Sequence, residues 1–564
     1  MTRVRLAVGR LLPSSRDYVD LRRSWAGDLL AGLTVAVVAL PLALGFGVVS
    51  GVGPEAGLVT AVVAGVVAAV FGGSGLQVSG PTGAMAVVLL PIVSEHGAAV
   101  VPAVALMAGV IVVVAGALGL GRLVGLIPWP VVEGFTVGIA LVIAAQQVPM
   151  ALGVARPEGD HASVVAIRAV VHAVGDPDVT TLLLLGLTVV LAGGLPLLRR
   201  SLPASLVAVV VTTVVASLVG ADVAVIGEIP RTLPAPSVPA LGSWLALVSP
   251  AVVVAALVAL ESLLSARVAD GMADVAPHSP DRELVGQGLA NLASGLFGGM
   301  PATGAIARTA VNARAGAATR LASLSHAVVL ALMLLVAAGA VGRIPLVALA
   351  GVLLVTAWRM VERYSVLAVL RSTRTDAAVF LLTAAATVAF DLVVAVEVGI
   401  VLAVVVALVQ LSRTARLVED PPVVDELASA AEHRLLREHV LVYRLDGPLF
   451  FGAASRFLAQ LTAVSDVRVV VLRLANLAML DASGARALSE IIAQFDDRGI
   501  AVVLKVASPE HLRLLRTVGA LDRLDKAGHV TGDLDAALAH ARSHALRGRH
   551  PPAGPDTVVE LTGS

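Results

Sequence analysis

The stretch GPTGAM, Gly80–Met85, lies between two long apolar runs and breaks them with glycine, proline and threonine, residues that interrupt a membrane helix. A near copy, PATGAI, spans Pro301–Ile306. The runs ahead of the two breaks also match. EAGLVTAVVAGVVAAVFGG (Glu55–Gly73) and ELVGQGLANLASGLFGG (Glu283–Gly299) both end in Phe-Gly-Gly, and each is soon followed by Thr-Gly-Ala. The displacement is 226 residues from Phe71 to Phe297 and 221 from Thr82 to Thr303, so the apolar part of the chain divides into two related halves.

The composition says what those halves are. Of 564 residues, 57% are hydrophobic and 14% charged, and the mean hydropathy is +0.92, so most of the chain cannot carry the charged surface of a soluble globule. Apolar runs of about 18 residues, enough to cross a hydrocarbon core of about 30 Å, recur from Asp28 to Leu411. Cysteine is absent, which removes disulfides and thiolate chemistry. The only lysines, Lys505 and Lys526, do not follow glycine, so there is no Walker A loop. The sequence contains no HExxH or GxSxG, so no enzyme is expected. With net charge zero and scattered arginines, no nucleic-acid partner is expected.

Fourteen spans are read: 28–50, 54–72, 80–94, 99–121, 129–150, 178–198, 203–219, 247–268, 283–299, 302–314, 319–341, 345–361, 375–390 and 392–412. Loops after even-numbered spans hold Arg122, Arg199, Arg200, Arg267, Arg282, Arg314, Arg320, Arg371 and Arg413, whereas the opposite loops are rich in Asp and Glu. By the positive-inside rule both termini are expected in the cytoplasm, in a multi-pass protein of the cell (plasma or inner) membrane bilayer. Residues 1–27 form an Arg-rich N-terminal segment without an apolar core, so no cleaved signal peptide is read. The transmembrane domain is expected over 28–418.

Seven spans per half force the second half to be inverted, and matched Gly/Pro-broken short helices in inverted repeats point to a secondary-transporter site at mid-membrane. The third span is about 14 residues long, or about 21 Å, and the tenth is shorter. A half-helix starting at mid-depth turns unpaired N–H groups and a positive dipole end toward an anion. Pro81 and Pro301 suit the approach to a helix start, Thr82 and Thr303 are cap candidates, and Gly83 and Gly304 let a ligand approach the backbone. The alternative is that both breaks are ordinary kinks.

Intramembrane ionisable residues complete the candidate set. Glu261 lies well inside the eighth span with Ser265 one turn on, a pair suited to holding Na+ or, through Glu261, a proton; otherwise Glu261 only hydrogen-bonds a broken helix. Arg308 either adds a fixed positive charge to the site or snorkels to the membrane face. Glu133 is a second proton-carrier candidate or an interfacial carboxylate. Phe46, after Pro41, either lines the site or packs.

From about Glu419 charge becomes frequent. HVLVYRLDG, VRVVVLRL and IAVVLKV read as strands; GAASRFLAQLTAV, GARALSEIIAQFDDRG and PEHLRLLRTVGA read as helices. This is a small α/β domain over 437–543 with a mixed sheet, followed by a disordered tail, 544–564. Ser483 falls at a helix start, as a phosphorylation or anion candidate or as an ordinary cap residue.

These residues, from GDLLAGLTVAVVALPLALGFGVVSGVGPEAGL through VSGPTGAM, ALESLLSARVADGM and PATGAIARTAVNARAG to LDASGARAL, resemble the SulP anion transporters, the sulfate-permease family that includes the mammalian anion exchangers and prestin. The resemblance implies a helical polytopic fold of 7+7 inverted repeats, a core domain (spans 1–4 and 8–11) moving elevator-fashion against a gate domain (spans 5–7 and 12–14), a cytoplasmic STAS domain and a homodimer. It places the anion between the half-helices, at Gly80, Pro81, Thr82, Gly83 and Ala84 and at Thr303, Gly304, Ala305 and Ile306, with Arg308 matching the anion-site arginine of animal members. Glu261 and Ser265 match the cation ligands of sodium-coupled bicarbonate members, in which threonine stands at the place of Ile306. Ser483 resembles the phosphorylated serine of soluble STAS antagonists. The expected function is secondary transport of a small anion (sulfate, bicarbonate or dicarboxylate class) coupled to H+ or Na+, with no other cofactor; the alternatives are an anion channel or a nucleobase-type carrier.

Overall fold

The computed structural model describes residues 21–122, 128–159, 161–175, 177–198, 203–240, 244–272, 276–389, 416–420, 439–450, 467–474, 476–506 and 508–547, with isolated positions around them. It divides into two units, 1–403 and 404–564.

In the first unit α1 (Leu21–Val49), α2 (Pro54–Phe71), α3 (Gly83–His96) and α4 (Val101–Ala117) are followed by α5 (Trp129–Ala151), α6 (Ala162–Gly175), α7 (Val179–Leu198) and α8 (Ala204–Val219). The second half has α9 (Trp244–Met272), α10 (Pro280–Leu296), α11 (Ile306–Arg314), α12 (Arg320–Val341), α13 (Leu346–Met360), α14 (Arg363–Arg371) and α15 (Arg374–Ala389). Each of the first thirteen expected spans falls on a helix, and the last, 392–412, lies outside the described residues except for isolated positions. Helix α6 occupies a stretch read as a loop. With only 14 residues and a polar side carrying Arg168 and His172, it falls below the length of a span.

The helices pack as two groups. α10 lies against α4 and α2, α12 against α1 and α2, and α9 against α4 and α11. In the other group α5 packs on α15, α13 and α6, and α7 packs on α8 and α13. Close approach is achieved by glycine: a Cβ on Gly288 would press on the α4 backbone at Gly109, and one on Gly295 would press on Pro102.

Between α2 and α3, and again between α10 and α11, the chain runs extended. There β1 (Ser79–Gly80) pairs antiparallel with β2 (Thr303–Gly304), Ser79 opposite Gly304 and Gly80 opposite Thr303. Extended backbone at membrane depth is tolerated only where protein satisfies its polar groups, and here every satisfying side chain is buried. Asn291 donates to the Ala302 carbonyl at 2.8 Å and accepts from the Ala302 N–H at 2.9 Å. Thr60 accepts from the Met300 N–H at 2.7 Å. Glu283 accepts from the N–H groups of Gly73 and Ser74 at 2.7 and 2.9 Å. Arg320 donates to the Ala69 and Gly72 carbonyls at the end of α2. Arg282 and Arg320, counted in the sequence among loop arginines that orient the chain, are therefore buried side chains.

In the second unit the sheet runs in the order β3 (Arg416–Asp420), β4 (Val440–Leu449), β5 (Val469–Arg473), β7 (Ala501–Lys505), β8 (Val530–Thr531), with β6 (Leu477–Leu480) beside β4. β3 is antiparallel and the other pairings are parallel, the mixed sheet expected. The period of two separates its faces. Val470, Leu472, Val502 and Leu504 meet α16 (Ala482–Asp497), α17 (Pro509–Thr517) and α18 (Asp522–Lys526), while Val440, Val442, Val469, Val471 and Val503 meet α19 (Leu534–Arg547). Two boundaries move. β3 brings 416–418, read as the end of the transmembrane domain, into this sheet, and α19 runs to Arg547, past the expected edge at 543. The segment GAASRFLAQLTAV and most of the tail read as disordered lie outside the described residues.

Candidate functional site

α3 begins because Thr82, in extended backbone, turns its hydroxyl to accept from the Met85 N–H, an N-cap that leaves the first N–H groups of α3 without intrahelical acceptors. The second half departs from this pattern. Thr303 was expected as the matching cap, but it lies in β2, two residues before the N-cap Ala305, which makes no side-chain cap bond. The start of α11 is fixed instead from outside, by the Ala305 N–H donating to the Val78 carbonyl at 2.9 Å and by Thr309 accepting from the Val78 N–H at 3.1 Å. The β1–β2 pair thus locks together the strands leading into two helix N-termini from opposite halves of the chain.

Glu261, on α9 and partly exposed, joins them. Its Oε2 accepts from the hydroxyl of Thr303 at 2.7 Å and from that of Thr82 at 2.9 Å, and the two threonine oxygens are 3.3 Å apart. The next residue of α9, Ser262, supports β2 by accepting from the Gly304 N–H at 3.1 Å. Ser265 is fully buried and shares a hydrogen bond with Thr309 at 3.0 Å. Glu261 and Ser265 therefore share a face of α9 while bonding to different partners, and the local donor set, a carboxylate and hydroxyls, is all oxygen, the set a hard cation takes.

Arg308 is buried and does not snorkel to a membrane face. It is 2% exposed, its Nη2 donates to the Pro81 carbonyl at 2.5 Å, and its Nη1 has no hydrogen-bond partner among the described residues. Gly80 makes room for it: φ is +155°, and a Cβ there would lie 2.7 Å from Arg308 Nη1. Phe46 is buried with its ring edge beside Gly83, facing Ile143 of α5 across the start of α3. Ala84 and Ala305 are buried as well, whereas Ile306 is 37% exposed. Glu133 is not brought to this cluster. It accepts from the Trp129 indole at 3.0 Å in the first turn of α5, as an interfacial carboxylate would.

The sequence reading missed His326 on α12, 1% exposed, with neither ring nitrogen hydrogen-bonded among the described residues and close enough to Arg308 to feel its charge. A lone histidine in an apolar run gave no pattern to find it by. Two cavities of about 390 Å³, one lined by residues of α1 and α5 and the other by residues of α3 and α5, share Gln146 and Arg156. A third, of about 1350 Å³, is lined by Arg314 and Arg359 at the far ends of α11 and α13.

In the second unit Asp481, not Ser483, caps α16, accepting from the Gly484 N–H at 2.7 Å. Ser483 is left exposed in the first helical turn.

The chain has relatives in sequence and in fold. Residues 25–383 match the model of the sulfate permease family and residues 435–537 that of the STAS domain. YvdB of Bacillus subtilis (strain 168), which carries a sulfate-transporter name, is 36% identical over 512 residues, covering 88% of this chain and 94% of its own. The bicarbonate transporter BicA of Picosynechococcus sp. (strain ATCC 27264 / PCC 7002 / PR-6) is 33% identical over 529 residues, covering 89% and 92%. Among solved structures, SLC26A9 superposes with a TM-score of 0.82 at 17% identity over 97% of this chain and 95% of its own, a likeness of fold. The transmembrane domain of a cyanobacterial BicA superposes at 0.62 with 33% identity, covering 66% of this chain and 98% of that domain.

Proposed function

Because the chain belongs to the sulfate permease family of anion transporters, with a STAS domain after its multi-pass membrane region, we propose that it is a secondary active carrier of a small inorganic or carboxylate anion, held between the N-termini of α3 and α11. The observation that carries this is the β1–β2 pair, which sets two helix N-termini from opposite halves beside a buried arginine with a nitrogen to spare. Free N–H groups, two dipole ends and a guanidinium select negative charge and impose little shape, which suits sulfate and bicarbonate, the substrates in the relatives' names.

Glu261 supplies the coupling. Ionised, it cancels the charge of Arg308, so an arriving monoanion leaves the site at −1 and a proton or Na+ restores neutrality. A proton would bind the Glu261 carboxylate. Sodium would take Glu261, Ser265 and neighbouring hydroxyls. A neutral load crosses the bilayer at the lower electrostatic cost, and this ties the two fluxes together.

The moving body is the group α1–α4 with α9–α12, and transport is of the elevator type. Its broken helices are bonded to one another, whereas Phe46 and Gly83 meet the other group at the apolar Ile143, so sliding there breaks no polar contact at that point. A homodimer in the cell membrane with cytoplasmic termini completes the reading.

Uptake of labelled sulfate, bicarbonate and dicarboxylates into proteoliposomes, under imposed pH and Na+ gradients separately, tests it. The wild type should accumulate at least one anion against its gradient with one of the two cations, and Glu261→Gln should lose gradient-driven accumulation while the protein still elutes as a folded species. Accumulation by Glu261→Gln with the same gradient dependence would overturn the coupling role. Passive conductance without accumulation would identify a channel.

A further inference from the structure

Away from the anion site, three histidines of the STAS unit converge. His540 and His544 lie one turn apart on α19, and His529 comes from the residue just before β8. Their ring centroids are 5.0, 4.8 and 5.0 Å apart, almost an equilateral triangle, and one ring nitrogen of each lies within 4.8 Å of the others. The Nε2 atoms of His529 and His544 are 3.2 Å apart. Two imidazole nitrogens bound to one tetrahedral zinc at about 2.0–2.1 Å are separated by about 3.3 Å, so this pair already has the spacing of a metal-ligand edge. All three rings are half-buried, and His540 Nε2 has no hydrogen-bond partner among the described residues.

Both supports are fixed. The His529 N–H donates to the Leu524 carbonyl at 2.9 Å and its carbonyl accepts from the Leu504 N–H at 2.8 Å, after Gly528 at φ +69° turns the chain into β8. α19 is seated on the sheet by Ala537, Ala541 and Ala545, all 1% exposed or less, and His540 and His544 each precede one of these alanines. Small side chains at that spacing bring the helix close to the strands and hold the two histidines on its flank toward β8.

We propose that His529, His540 and His544 form a site for a divalent transition metal of the zinc class. Three neutral imidazoles suit Zn2+, Co2+, Ni2+ or Cu2+ and disfavour Mg2+ and Ca2+, which take oxygen. Three protein ligands leave a fourth position for water or another donor. The ligands come from two segments of the chain, so the metal staples α19 to the β8 edge of the sheet and stabilises the unit by binding only the folded form. The alternative is a stack of neutral rings packed edge to face.

The test uses the full-length protein in detergent, stripped with a chelator and titrated with Co2+ and with Zn2+. One equivalent per chain should survive gel filtration, Co2+ should give the intense visible bands of a low-coordinate site, and Zn2+ should raise the melting temperature reversibly. The chain has 12 histidines, so variants decide the location. His540→Ala/His544→Ala should weaken binding by more than about 100-fold. Because that pair lies on a packed helix, His529→Gln at the turn is the second variant, with the same direction expected. Absence of a stoichiometric equivalent in the wild type, or full binding in a folded His529→Gln protein, would overturn the site and leave the stacked rings.

Discussion

At the scale of a single residue, Gly80 shows how backbone and charge are coupled. Its φ of +155° is open only to glycine at low cost, and the space a Cβ would fill belongs to Arg308. Gly80→Ala therefore meets backbone strain of about 1–3 kcal/mol and a guanidinium that must move. Arg308 is held on one side by the Pro81 carbonyl, and moving it away from the helix ends removes the fixed positive charge from the proposed anion position. Gly80→Ala should raise the anion KM about tenfold or more in proteoliposome uptake. Combined with Arg308→Ala it should add little to the loss seen for Arg308→Ala alone, because both act through one group. Additive losses would show that Gly80 acts by another route.

The elements show what could be read from the chain and what could not. The helix breaks at Gly80–Pro81 and Pro301 were legible because glycine and proline violate the surrounding pattern, and their displacement by half the apolar region made them a pair. The two-residue strands were not legible, since nothing so short has a period, and so the role of Thr303 was misread: by alignment with Thr82 it is a cap, but in the fold it is a β2 residue bonded to Glu261. His529 and the pair on α19 went unseen for a related reason, since only the fold brings the β8 turn beside that helix. Asn291 was equally silent. Polar residues are common at helix contacts, and only the structure shows its amide clasping both backbone groups of Ala302. Asn291→Ala would leave a buried N–H and a buried C=O unpaired at about 1–3 kcal/mol each. A fall in thermal stability in detergent by roughly 2–5 kcal/mol is expected, with the exposed Ile306→Ala as a nearly neutral control. Melting of Asn291→Ala at the wild-type temperature would show that water replaces the clasp.

For the first unit as a whole, the polar bonds described around the site lie inside one helix group, and the cavities lie along its border with the other. Val87 of α3 and Val142 of α5 line the same cavity of about 390 Å³. If α1–α4 and α9–α12 slide as one body past α5, the distance between these two side chains must change in every transport cycle, whereas a local gate at the half-helices would leave it fixed. The absence of native cysteine makes this measurable in an otherwise unaltered chain. Val87→Cys/Val142→Cys should transport normally when reduced, stop when the two thiols are bridged by a short reducible bifunctional reagent, and recover when the bridge is cleaved. Anion binding, read by ligand-dependent melting, should survive the bridge, because the groups that hold the anion all lie on one side of it. Undiminished uptake through the bridged protein would exclude movement of the two groups against each other and leave a gate built into the broken helices themselves.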